Sequence, residues 1–290
     1  MIKTIELSDK PAIEALRNRY NHTYASHAFN MLYAWKDLVG NRLFIEDDIF
    51  SLNYTAKGEN AWMFPVGSDS AKKAFIEKNM NSKDFLLCYM RDEDADFLDQ
   101  YFPDKFFFET MPEDSEYVYN VANHISLAGN IYRTFRYHVN SATRRFPNLR
   151  IKELSEETKA DALAVINGWK PRGKDRGSLH IEGNEAEILP CKMWKELGYY
   201  GIIIYADDEP LGTALGYQLS DDICDFAIRK LCVDDRDLGY YIAWLFTKQA
   251  AKRNNTLINY EDDMNIVGLR EFKQGLHPDI MNTVTEAYLL

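Results

Sequence analysis

Two stretches in the last third of the chain hold most of the side chains able to do chemistry. Asn259-Tyr260-Glu261-Asp262-Asp263 closes a β-type run, and strand alternation sends Asn259, Glu261 and Asp263 to one face. A carboxylate such as Glu261 can take a proton from an amine nucleophile or hold its ammonium form. The other reading is a solvated acidic strand end, with Lys273 on the next helix as an ion-pair partner. Upstream, Leu231–Phe246 reads as a strand end, a tight turn and an amphipathic helix. A helix N-terminus there would turn unpaired N–H groups and the positive end of its dipole toward an anion. Arg236 adds charge, Gly239 frees the backbone to wrap the anion, and Tyr240 borders the turn. Asp237 as an ordinary cap is the plainer reading of the same letters.

A third group lies on the helix expected over Gly129–Phe146. Ile131, Phe135, Val139, Ala142 and Phe146 recur at helical spacing, and Arg133, Arg136, Asn140 and Arg144 form an offset stripe. No acidic residue occurs from Tyr117 to Lys152. Arginines in such a run suit bidentate binding of carboxylate or phosphate, although a surface helix can carry them simply for solvation. His138 lies between the stripes; an ordinary pKa of about 6.5 makes it a candidate proton carrier or a local packing contact.

Elements must bring these groups together, and the composition says what can be built. The chain has 290 residues, 46% hydrophobic, with a formal net charge of −11. That is enough for one large core or two ordinary ones, and the charge argues against a nonspecific grip on nucleic acid. Cys88, Cys191, Cys224 and Cys232 are too widely spaced for a zinc motif or a disulfide framework, so no metal is expected. The longest apolar run is far below the ~20 residues of a membrane span, and the start MIKTIELSDK lacks a secretory signal. No membrane insertion and a cytoplasmic location are therefore expected.

Periodicity predicts an α/β (α+β) protein in two parts, residues 1–115 and 116–290, joined at the Pro112-containing segment Met111–Ser115. The second part reads as helix, strand and helix, then a charged, Gly-rich loop at Lys170–Gly177 and a helix from Asn184 to Leu197. Strands over Tyr199–Ala206, Leu211–Leu219 and Ile223–Val233 follow. After them come a helix over Leu238–Arg253, a strand at Thr256–Tyr260, a helix at Val267–Lys273 and one last strand over Ile280–Tyr288. The spacing of Leu238, Tyr241, Ile242, Leu245 and Phe246 predicts that this stripe faces the sheet.

Two resemblances sharpen these expectations. Arg236-x-x-Gly239 is similar to the pyrophosphate loop of GNAT acyltransferases, Gln/Arg-x-x-Gly-x-Gly/Ala, with Tyr241 in place of the final small residue. Over nearly the whole length, the chain resembles an uncharacterised bacterial family related to the C-terminal domain of phosphatidylglycerol lysyltransferases. The resemblance rests on Ser26-x-x-Phe29-x-x-Leu32-Tyr33-x-Trp35, Phe64-Pro65-x-Gly67, Tyr117-Val118-Tyr119 and Arg136-x-His138-x-Asn140. It continues in Asn259-x-Glu261-x-Asp263, Gly268-Leu269-Arg270-x-x-Lys273 and Pro278, and departs from the family at Tyr137 and Asn265.

The resemblance implies two GNAT-like domains, each a mixed, mainly antiparallel sheet flanked by helices, with the site in the second. It implies transfer of an acyl or aminoacyl group to an amine or hydroxyl of a small-molecule substrate, with acyl-CoA or aminoacyl-tRNA as donor and tRNA a partner still to be demonstrated. Glu261 would then be catalytic. Arg236, Gly239 and Tyr240 would bind the cofactor, and Arg136, His138, Asn140, Asn259, Asp263 and Lys273 the substrate. The competing expectation is a non-catalytic module that binds a small molecule or protein on a degenerate version of the fold.

Overall fold

The computed structural model describes residues 2–54, 60–169 and 185–290. The loop read at Lys170–Gly177 and the first residue of the helix read from Asn184 lie outside them. Two compact units emerge: residues 1–116 with 282–290, and residues 117–281.

The first unit runs β1 (Ile2–Lys3), α1 (Lys10–Arg19), α2 (Phe29–Trp35), β2 (Arg42–Glu46), β3 (Ile49–Tyr54), β4 (Asn60–Met63), β5 (Val66–Gly67), α3 (Asp69–Asn79), β6 (Phe85–Met90), α4 (Asp92–Tyr101) and β7 (Phe106–Thr110). The second holds β8 (Glu116–Asn120), α5 (Val121–Ser126), α6 (Arg133–Arg145), β9 (Arg150–Glu153), α7 (Lys159–Gly168), α8 (Glu185–Lys192), α9 (Trp194–Leu197), β10 (Tyr200–Ala206), β11 (Glu209–Gln218), β12 (Ile223–Leu231), α10 (Arg236–Lys252), β13 (Leu257–Asn259), α11 (Val267–Gly275) and β14 (Ile280–Asn282). The chain ends in β15 (Thr285–Leu289), which returns to the first unit.

Among the described residues, one sheet has eight strands in the order β1-β2-β3-β4-β6-β15-β7, with β5 on β3. The other has seven, β14-β8-β13-β12-β11-β10-β9. Both are mixed and mainly antiparallel. Each contains a parallel pair with a helix in the crossover: β4 and β6 around α3, and β12 and β13 around α10. A parallel pair requires such a crossover, which is why the same strand–helix–strand unit recurs.

The run Ile280–Tyr288, read as one strand of the second part, is divided. Ile280–Asn282 stays at the edge of the second sheet, while Thr285–Leu289 inserts between β6 and β7. Alternation along a strand specifies faces but not neighbours, so the split leaves no mark in the periodicity.

In α10, Leu238, Tyr240, Ile242, Leu245 and Phe246 are buried, and Tyr241 is only half-buried, near Trp244. Tyr240, not Tyr241, therefore faces inward. Fully burying each large apolar side chain stabilises by about 1.5–3 kcal/mol, so several on one helix fix where its N-terminus lies. Phe246 stacks on Phe226 of β12 (4.3 Å between centroids) and on Tyr200 of β10 (5.6 Å), tying α10 to the sheet.

The helix also starts at Arg236, two residues before the expected Leu238, because Asp235 caps it: its Oδ1 accepts the Leu238 N–H at 3.0 Å. α6 starts at Arg133 rather than Gly129, since Leu127 (φ 49°) and Gly129 (φ 86°) are left-handed. Ile131 consequently precedes the helix and is exposed, while Phe135, Val139 and Ala142 are buried. The expected Asn184–Leu197 helix is two helices, α8 and α9, separated at Met193.

Candidate functional site

β12 and β13 pair over three positions only, ending at Asp225 opposite Asn259. β12 continues to Leu231, but β13 stops, so the two strands part just beyond Asp225. Glu261 lies on the loop leaving β13. Its φ of 57° is left-handed and ends the strand alternation expected through Asp263. Asn259, fully buried, holds that turn by accepting the Glu261 N–H on Oδ1 at 2.7 Å.

The Glu261 carboxyl lies beside the completely buried Asp225, and the Tyr217 phenol is a neighbour of the same aspartate. Burial pushes the pKa of Glu261 well above the carboxylate range. The neighbouring Asp225 charge adds to the rise, and Lys273 opposes it. Two neighbouring carboxyl groups cannot both ionise cheaply, which favours the protonated form of Glu261. The Tyr199 and Tyr217 rings, 5.1 Å apart, complete the setting; burial keeps both phenols protonated. Gly216 permits this arrangement, because a Cβ there would sit 1.9 Å from the Asp225 carbonyl oxygen.

The other acidic-end residues have different roles. Asp263 is buried and receives two bonds from Arg270, both 2.8 Å, and one from the Tyr117 hydroxyl at 2.7 Å. Lys273 is buried, its pKa lowered first by burial, and its Nζ donates to the carbonyl oxygens of Tyr260 and Asp262 rather than to a carboxylate. Its own carbonyl accepts from the Tyr119 hydroxyl at 2.7 Å. Asp263, Lys273 and the β8 tyrosines thus pin the loop that carries Glu261.

At the N-terminus of α10, Gly239 has ordinary helical backbone, without a positive φ. A Cβ added to it would make only van der Waals contact with Arg229 (3.7 Å). The backbone freedom expected of Gly239 is therefore not used. Arg236 is exposed, with its guanidinium 5.9 Å above the Tyr240 ring, and Tyr240 is buried. His138 stacks on Tyr240 at 4.4 Å and bonds Asp237 through Nδ1 at 2.6 Å. Asp237, expected as the cap, instead receives three donors from α6, and Asp235 is the cap. Arg136 donates to the carbonyls of Leu127 and Gly129, closing the turn before α6, and Asn140 is exposed.

Glu261, Asn259, Asp263 and Lys273 are therefore brought together. Arg236, Gly239, Tyr240 and His138 form a second neighbourhood, with Arg136 and Asn140 outside both. Sequence reasoning missed Asp225 and Arg229. Arg229 lies on β12, its guanidinium 3.7 Å from the Phe272 ring centre, and it donates to the Gly239 carbonyl at 3.3 Å. Burial lowers its pKa to about 10, and its polar neighbours include the phenols of Tyr260, Tyr240 and Tyr119. It stays cationic at neutral pH and can meet an anion or a developing oxyanion. The available signal was an acid and an arginine inside the apolar strand Ile223–Leu231, where neither belongs for packing alone. Among the described residues, no group of three His, Cys, Asp or Glu is placed to hold a metal, and no helix is long and apolar enough to cross a membrane.

The family model for "Phosphatidylglycerol lysyltransferase, C-terminal" matches residues 17–228, a span that includes Asp225 and ends before Arg229 and Glu261. No curated protein matches the sequence. Among solved structures, a conserved protein of unknown function from Bacteroides thetaiotaomicron superposes with a TM-score of 0.87 at 20% identity, covering 100% of this chain and 99% of that one. L-PGS from Bacillus licheniformis gives 0.66 at 14% identity, covering 97% and 91%. FemX gives 0.62 at 10% identity, covering 100% and 97%. At these identities the likeness shows the fold alone, two mixed, mainly antiparallel sheets flanked by helices.

Proposed function

The chain belongs to the family of the phosphatidylglycerol lysyltransferase C-terminal domain, and from that premise we propose that its second unit transfers an acyl or aminoacyl group to an amine or hydroxyl. The observation that carries this reading is the Asp225–Glu261 carboxyl pair where β12 and β13 part. In acyl transfer the nucleophile gives up a proton and the leaving group gains one. A carboxyl whose pKa burial raises can do both in turn. Glu261 is the general acid–base, Asp225 sets its proton affinity, and Arg229 stabilises negative charge on the acyl oxygen or on the donor.

The acceptor is a small molecule, and the donor carries its acyl group on CoA or its aminoacyl group on tRNA. A tRNA would meet the exposed Arg133 and Arg144 of α6, and its affinity would then fall steeply with salt. The test is a single-turnover transfer assay with acetyl-CoA and with aminoacyl-tRNA, against a panel of amines, hydroxyl compounds and phosphatidylglycerol. Glu261→Gln is expected to slow transfer by about 10²–10⁴-fold, the usual contribution of a positioned acid–base. Transfer at the wild-type rate in a folded Glu261→Gln protein would remove Glu261 from the chemistry.

A further inference from the structure

The N-terminus of α10 has the makings of an anion cradle, and the chain fills it with its own carboxylates. Asp235 Oδ1 takes the Leu238 N–H, one of the donors a bound phosphate would need. Asp237 adds a second negative charge in the first turn, where the helix dipole favours one. Both carboxylates are then fixed from α6. Arg145 reaches Asp235 Oδ2 at 2.5 Å and Asp237 Oδ2 at 2.9 Å. Ser141 donates to Asp237 Oδ2 at 2.5 Å, and His138 Nδ1 meets its Oδ1 at 2.6 Å. Partial burial pushes the Asp237 pKa up, but the donors from Ser141, His138 and Arg145 outweigh it and hold the group at about 2. Asp237 is consequently ionised at any physiological pH.

We propose that Asp235 and Asp237 are specificity-determining residues that close the α10 N-terminus to a diphosphate. A diphosphate brought there meets two fixed like charges and finds the Leu238 donor and the Arg145 guanidinium already engaged. The domain therefore takes a donor whose carrier places no diphosphate on this helix, which separates it from a CoA-type grip at Arg236 and Gly239. This goes beyond the transferase reading, because the binding preference holds whether or not the domain transfers a group.

The test uses the full chain with inorganic pyrophosphate and with CoA, at matched ionic strength, followed by calorimetry and by amide NMR shifts. The wild type is expected to show no binding of either ligand at Leu238 and Gly239. Asp235→Ser with Asp237→Ala keeps a capping hydroxyl and releases Arg145, Ser141 and His138. It is expected to bind pyrophosphate at least about tenfold more tightly, the effect of roughly one charge–charge interaction. Should that double variant fail to fold, Asp237→Asn alone keeps the shape, removes the charge and carries the same expectation. Wild-type binding of CoA with shifts at Leu238 and Gly239 would overturn the proposal. A folded variant that gains no pyrophosphate affinity would overturn it equally.

Discussion

Acidification from pH 6.5 to 4.5 should destabilise the first unit through its buried histidines. His27 is fully buried; its Nε2 bonds the Phe64 carbonyl at 3.0 Å and its Nδ1 bonds Ser26 Oγ at 3.1 Å. Burial lowers its pKa to about 3, against 6.5 in an unfolded chain. The folded state therefore binds fewer protons than the unfolded state below pH 6.5. Stability is complete above that value and drains away as the pH falls toward 3. From pH 6.5 to 4.5 this linkage costs about 2.3 kcal/mol, slightly less than two full units at about 1.36 kcal/mol each because the unfolded imidazole is already half protonated at 6.5. His22, with its ring 4.0 Å from His27, is shifted the same way, first by burial and then by His27.

A loss of about 3 kcal/mol or more is a large part of the ~5–15 kcal/mol typical of a domain. The assay is urea unfolding at pH 7.5, 6.5, 5.5 and 4.5, followed by fluorescence in a background where Trp169, Trp194 and Trp244 are replaced by Phe, so that Trp35 and Trp62 report on the first unit. His27→Gln keeps an amide donor for Phe64 and cannot titrate, so it should remove about half of the pH dependence. A wild-type midpoint that does not move between pH 6.5 and 4.5, or a His27→Gln slope equal to the wild-type slope, would refute the reasoning.

Three further outcomes are expected. Glu261→Gln should raise stability at pH 8 and change it little at pH 5, because a carboxyl whose folded pKa is raised costs stability above its unfolded value; urea unfolding at the two pH values checks this. Gly239→Ala should stabilise by about 0.5–1 kcal/mol, since the position is helical and has room for a methyl group; thermal unfolding reads it, and a loss would mean that Gly239 is needed for its backbone. Arg270→Ala should destabilise by about 2 kcal/mol, less than the full cost of orphaning a buried ion because Arg270 is partly exposed while Asp263 is not; an Asp263→Asn background should abolish most of that loss.

The sequence by itself determined most of the elements, while several of their bounds and the inward face at Tyr240 and Tyr241 followed from packing. The strands expected over Tyr199–Ala206, Leu211–Leu219 and Ile223–Val233 and the helical spacing of Leu238, Ile242, Leu245 and Phe246 are local patterns, and local backbone geometry reads them directly. Glu261, Asn259, Asp263 and Lys273 were legible as a group because they are near one another in the chain. Their division into one acid–base and several anchors was not, since it depends on which side chain meets Arg270, Tyr117 or a backbone carbonyl.

What only the tertiary structure decided is pairing between distant segments. The parallel register that sets Asp225 opposite Asn259 brings Asp225 against Glu261, and the packing of α6 on α10 sets Arg145, Ser141 and His138 on two aspartates of another helix. The same holds for Thr285–Leu289, whose alternation fits a strand in either sheet until β6 and β7 supply its hydrogen bonds. Periodicity narrows which way a side chain points. What it meets depends on long-range hydrogen bonding and burial, and these alone turned an apparent anion turn into one filled by its own carboxylates.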